Sequence, residues 1–124
     1  MNGPAPRRPQ RVAERIKAEL MELLLRDGLR DPAAKGCFVT AVVMTDDLRQ
    51  ARVYFRLLSS DVTPAMRKSA VDALTGAAGF LRRELAPRLG LKYQPELRFY
   101  WDEGTDRAAR IEELLSEIER EGTH

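Results

Sequence analysis

At 124 residues the chain has the length of one domain, enough to bury a real core. A content of 44% hydrophobic and 32% charged residues is ordinary for a globular protein, and no apolar run approaches the ~18 residues of a membrane span. The net charge is only +2, and the single cysteine, Cys37, excludes an internal disulfide, so a reduced, cytoplasmic setting is expected.

Residues 1–9 hold three prolines and a glycine and read as a disordered N-terminal tail. Their basic residues have no apolar segment behind them, so no secretory signal is expected. A single folded domain is expected over 10–121, followed by a short C-terminal tail at 122–124. The spacing predicts a first helix from about Pro9 to Leu29, with Val12, Ile16, Leu20, Leu23 and Leu24 on its buried side. Gly28 and Pro32 mark its end. Next, CFVTAVVMT (37–45) and QARVYFRLL (50–58) are β-branched and aromatic, and a short polar turn at Asp46 and Asp47 joins them as a β-hairpin.

Thr63 followed by Pro64 is a helix start, threonine at the N-cap and proline in the first turn. This helix is expected to run to about Ala86 and to stop at Pro87, with a loop from Gly90 to Pro95. ELRFYW (96–101) alternates as a third strand. Thr105 or Asp106 then caps a last helix, whose inner face holds Ile111, Leu114, Leu115 and Ile118. The sum is an α+β domain with helices on one side of a three-stranded sheet.

The helix over 64–86 carries two glycines. Val71, Leu74, Ala78, Leu81 and Leu85 form one apolar stripe running straight through them, while Gly76 and Gly79 point away with Asp72 and Arg83. An exposed mid-helix glycine costs about 1 kcal/mol relative to alanine. Either the helix simply breaks here, or something must approach this backbone closely. Residues 76–79, GAAG, formally fit the GxxG loop that KH domains place against a nucleic-acid backbone. Four-residue matches are cheap, and the two alanines are not the polar or basic residues usual there.

Catalytic groups are scarce. The only histidine is the last residue, His124, and Cys37 has no histidine partner, no Cys/His cluster suggests zinc and no P-loop is present. Glu112 and Glu113 fall on the polar face of the last predicted helix. No enzyme activity and no cofactor or metal are expected.

Basic residues suggest binding instead. Arginine outnumbers lysine 17 to 4, which either favours phosphate and base contacts or reflects genomic base composition. Charge runs from a basic start to an acidic end, a gradient that suits a polyanion but also arises by chance in short chains. Arg8, Arg11 and Arg15 form a stripe beside the buried face of the first helix. Such a stripe can neutralise phosphates, or it can be a solvated face with Arg15 paired to Glu19. Arg82 and Arg83 follow the small-residue patch, with Arg88 and Lys92 shortly after. Arg52, Tyr54 and Arg56 alternate on one face of the second strand, as Arg98 and Tyr100 do on the third. Such a face can stack single-stranded bases, but more often its side chains simply reach for water.

The stretches RPQRVAERIKAEL, DDLRQARVYF, AAGFLRREL and PRLGLKYQPELRFYWDEGTDRAARIEELL resemble the bacterial ribosome-binding factor A family, from about Arg7 to Glu121. The resemblance implies a type II KH-like domain, α-β-β-α(kink)-α-β with a C-terminal helix, in which an Ala-x-Gly kink replaces the GxxG loop. Here that kink is Ala77-Ala78-Gly79, which leaves Gly76 as an extra. The family's role, as implied, is non-catalytic. Its members bind free small ribosomal subunits late in maturation, assist rRNA processing, and matter most during growth in the cold. Their contacts are with 16S rRNA near its 5′-terminal helix and the decoding region, and a ribosome-maturation GTPase is associated with their release. A monomer without membrane association is expected. The kink would allow close approach of RNA, and Arg8, Arg11, Arg15, Arg82, Arg83, Arg88 and Lys92 would contact phosphates.

Two features depart from the family pattern. DPAAKGCFV is longer and less regular than the resemblance implies, and the chain ends soon after the last helix, so no role of a longer tail carries over. A protein-interaction module, docking through the Arg/Tyr sheet face or the acidic last helix, is the competing reading. Steep weakening by salt would mark RNA binding, and its absence an apolar protein interface.

Overall fold

The computed structural model describes residues 7–26 and 28–104, so the predicted last helix lies outside the described residues. Helix α1 spans Arg8–Arg26, one residue earlier than expected, because Pro9 sits comfortably in a first turn whose N–H groups need no helical acceptor. Ala13, Ile16, Leu20 and Leu23 are buried on one side of it, with Val12 and Leu24 at the margins of the same stripe. It ends sooner than Leu29 because the chain turns left-handed at Gly28 (φ +64°), whose N–H reaches back to the Leu23 carbonyl.

A short 3-10 turn, Pro32–Ala34, fills the segment that the spacing read only as a connection. Asp31 caps it, its Oδ1 accepting the Ala33 N–H at 2.9 Å, and Ala34 is driven into the core.

Strands β1 (Cys37–Met44) and β2 (Gln50–Leu57) form the predicted hairpin, with register Cys37↔Leu57 to Met44↔Ala51. The register slips between Val39 and Ala41, making Thr40 the extra residue of a β-bulge. Val39 therefore faces the same way as Val42 and Met44, while Ala41 and Val43 turn to the other side. Strand β3 (Glu96–Trp101) pairs with β2 in parallel, giving the sheet order β1-β2-β3. A parallel neighbour requires a long crossover, which helices α2 (Pro64–Gly76) and α3 (Ala78–Leu89) provide.

Thr63 caps α2 as expected, its Oγ1 accepting the Met66 N–H at 3.1 Å. Pro87 does not stop α3. It lies in the last turn, and the helix runs on to Leu89, where Gly90 closes it in the left-handed conformation (φ +62°). One core joins the helices to one face of the sheet: Ile16 and Leu20, Val53 and Phe55, and Leu74, Leu81 and Leu85 are its largest fully buried apolar members. This is the α+β, KH-like arrangement expected. No described helix is long and apolar enough to cross a membrane.

Candidate nucleic-acid interface

The apolar stripe that predicted one continuous helix is intact, but its backbone is not. The hydrogen-bond ladder of α2 halts at Ala77, whose N–H is shared between the Ala73 and Leu74 carbonyls at 3.1 Å each. It resumes when the Leu81 N–H reaches the Ala77 carbonyl at 2.9 Å. Ala77 is thus the last cap of α2 and the first of α3, and α3 begins without a side-chain cap. Its positive end is left without the hydroxyl or carboxylate that usually covers it.

The surface above this junction is bare. A Cβ added at Gly76 would meet nothing within 4 Å, and one at Gly79 would touch only Arg83 Nη1, at 3.6 Å. Neither glycine is required by packing. Ala77 and Ala78 are half-buried, so the exposed part of the kink itself is backbone and methyl groups, with the Arg83 guanidinium lying over Gly79 and the exposed Phe80 ring beside it.

The seven basic residues expected here separate into two places. Arg82 and Arg83 stand by the kink at the start of α3. Arg88 lies at the other end of α3, about 14 Å along the axis from Gly79 at 1.5 Å per residue. Arg15 joins Arg88 there: its Nη2 donates to the Arg88 carbonyl at 2.8 Å. Arg88 in turn holds Glu19 at 2.8 Å and Glu22 at 3.7 Å. The Glu19 carboxylate, above all, raises the already high pKa of this guanidinium. Arg15 also pairs with Glu19 at 3.7 Å, one helical turn on, as its spacing allowed. Arg8 and Arg11 continue the exposed side of α1 towards its start, Arg11 bordering a groove against Val42, Val43 and Met44. Lys92, just past Gly90, rests its ammonium 5.5 Å from the Tyr93 ring centre.

Arg82 does a different job. Its Nη2 donates to the Gln94 carbonyl at 3.0 Å, tying α3 to the loop that leads into β3. Arg83 and Arg8 are exposed, and neither makes an ion pair or hydrogen bond among the described residues.

The Arg/Tyr face of the sheet is real. Arg52 faces Arg98, and Tyr54 faces Tyr100 with ring centres 5.6 Å apart. Its arginines are occupied by their own neighbours, however: Arg52 by Gln50, Arg98 by Glu96, and Arg56 by the Asp102 carbonyl. Arg30 was missed by sequence reasoning. It sits across a groove from the kink, in the loop after α1, and nothing in its local sequence signals that position. Among the described residues no three His, Cys, Asp or Glu side chains group as metal ligands would.

The family model described as Ribosome-binding factor A matches residues 8–115. A Ribosome-binding factor A from Sorangium cellulosum is 46% identical over 112 residues, spanning 90% of this chain and 89% of its own. The chain belongs to the ribosome-binding factor A family. The family's fold is also found in solved structures. A Thermotoga maritima protein described as a putative ribosome binding factor A superposes with a TM-score of 0.58 at 32% identity, covering 84% of this chain and 96% of its own. A Thermus thermophilus ribosome binding factor A homology model, fitted into a cryo-EM map of a 30S complex of that protein, gives a TM-score of 0.54 at 25% identity, over 73% and 94% of the two chains.

Proposed function

We propose that this protein binds the free small ribosomal subunit late in its maturation, assisting rRNA processing without chemistry of its own. In this reading it contacts 16S rRNA near the 5′-terminal helix and the decoding region, and a maturation GTPase promotes its release. The observation that carries it is the kink, in a member of the ribosome-binding factor A family whose Thermus relative was fitted into a map of a 30S complex.

The physical case starts from what is missing at the kink. Folded RNA is recognised largely through shape and backbone, which rewards a rigid surface that lets phosphates come close. Ala77, Ala78 and Gly79 put no long side chain in the way, and the start of α3 has no side-chain cap over its N–H groups. Arg83 supplies a cation over this spot. Arg8, Arg11 and Lys92 extend positive charge to the far end of α1 and α3. Arg15 and Arg88 reinforce that end while also holding α1 against α3. Arg82 supports the surface chiefly by fastening the loop before β3.

The test is co-sedimentation with isolated small subunits at two salt concentrations, with Arg83→Ala and Arg8→Ala alongside. These two positions separate binding from folding, which Arg82 does not. Binding should weaken steeply with salt, and each substitution should lower the affinity and flatten the salt dependence by about one counterion. No binding at low salt would overturn the proposal.

A further inference from the structure

We infer that the groove beside the kink holds one unstacked nucleobase of the bound RNA, with Phe80 as its stacking partner and Arg30 as its phosphate contact. This rests on the RNA-binding reading above and goes beyond it by naming what enters the groove.

The groove lies between the loop after α1 and the α2–α3 junction, with a volume of about 610 Å³. That is within the range of sites that hold small organic ligands, and ample for a base with its sugar. Its apolar wall is Leu29, Ala73, Ala77 and Phe80. Phe80 decides the matter. It is 42% exposed, one residue after Gly79, on a helix whose buried stripe passes through Leu81 and Leu85 instead. An aromatic ring left in water beside a bare backbone is costly to solvation and contributes little to the core, but it is what stacking of a base requires.

The charges agree with a base inside and a phosphate at the rim. Arg30 is exposed and makes no ion pair or hydrogen bond among the described residues. The two carboxylates that also border the groove are already engaged: Asp31 accepts the Ala33 N–H, and Asp72 holds Lys68 Nζ at 3.0 Å. Each keeps a second oxygen. Carboxylates repel a phosphate placed within the groove but accept hydrogen bonds from the amino edge of a base. The groove therefore suits adenine, cytosine or guanine better than uracil. A docked apolar peptide would use the wall but not the arginine, and would have no reason to sit next to the kink.

The experiment binds wild type, Phe80→Leu, Phe80→Trp and Arg30→Ala proteins to isolated small subunits, with chemical probing of Watson–Crick edges in the complexes. Wild type and Phe80→Trp should protect the same base. Phe80→Leu keeps the apolar volume and should lose both that protection and about tenfold in affinity. Arg30→Ala should weaken binding and its salt dependence together. If Phe80→Leu bound and protected as wild type does, the groove would hold no base and the wider RNA reading would stand. If wild type itself failed to bind, that reading would fall, and this one with it.

Discussion

Gly79 offers a test in which stability and binding are expected to move in opposite directions. Alanine at this position adds a Cβ that meets only the end of the Arg83 side chain, at 3.6 Å, an ordinary contact with a group free to shift. The backbone there is helical, so no left-handed conformation is lost. Glycine in a helix interior costs about 1 kcal/mol relative to alanine, and since Gly79 is the second residue of α3, Gly79→Ala should stabilise by at most that amount. For a domain of this size 1 kcal/mol corresponds to roughly 4 °C in Tm. Gly76→Ala should stabilise less, because Gly76 is the last residue of α2, where the helix is already fraying.

On the small subunit the order reverses. Gly79→Ala should bind more weakly than wild type, since the methyl group and the displaced Arg83 occupy the space the RNA backbone needs. Gly76→Ala should bind as wild type does. Gly79→Val, whose β-branched helix cost cancels most of the gain over glycine, should fold with near wild-type stability and bind worst of the three. Urea denaturation gives the first quantity and co-sedimentation the second. A destabilised Gly79→Ala would show that the packing argument is wrong. A folded Gly79→Val that binds normally would show that no close approach occurs at this glycine.

Other expectations follow from single contacts. Thr63→Ala removes the hydroxyl that accepts the Met66 N–H and should cost about 1 kcal/mol in urea denaturation, leaving subunit binding unchanged. Arg88→Ala should lower the Tm and narrow the gap between low- and high-salt stability, because Glu19 and Glu22 lose the partner that links α1 to α3. Asp47 accepts the Thr45 hydroxyl and the Arg49 N–H, in that order of weight, which holds its carboxyl below the usual range. A folded pKa below the unfolded one stabilises above the unfolded value, so that contribution fades as pH falls below about 4. Asp47→Asn should accordingly unfold with a shallower dependence on pH in acid. Burial pushes the Cys37 thiol up, so alkylation of the native protein at pH 8 should be much slower than that of the urea-unfolded chain.

Strand positions were legible almost to the residue because β-branched and aromatic runs are bounded by polar turns. What could not be read was the bulge. CFVTAVVM offers apolar residues on both sides of the slip, so either phase fills a core, and only pairing with β2 reveals that Thr40 is the extra residue. Pro87 misled for a related reason. Proline disfavours a helical residue before it, yet in the last turn it costs the helix a single backbone hydrogen bond, and a left-handed glycine at 90 is the stronger stop signal. The capped turn at 32–34 was hidden because Asp-Pro reads equally as a plain loop.

For the site, the sequence shows which residues are cationic but not what each one is already holding. Arg88 and Glu19 are 69 positions apart, so no local spacing could announce their ion pair. Arg82 and Arg83 are neighbours with opposite fates: a helix sends them about 100° apart, one towards the loop before β3 and one over Gly79. Arg30 is found only once the end of α1 is seen to come back beside the kink.

This sorting also explains why the exposed surface near the kink is free to serve binding. The stripe of Leu74, Leu81 and Leu85 carries the packing across the junction, with Ala77 packed against the same core, and only the backbone ladder is interrupted there. The core therefore holds α2 and α3 together without help from Gly76, Gly79, Phe80 or Arg83. Replacing Gly79, Phe80 or Arg83 changes what the surface can admit while leaving the fold in place. Residues such as Arg15, Arg82 and Arg88 lack this independence, because each spends a hydrogen bond on joining one element to another. Loss of binding on substituting them would mix two causes. Loss of binding at Gly79, Phe80 or Arg83 has one.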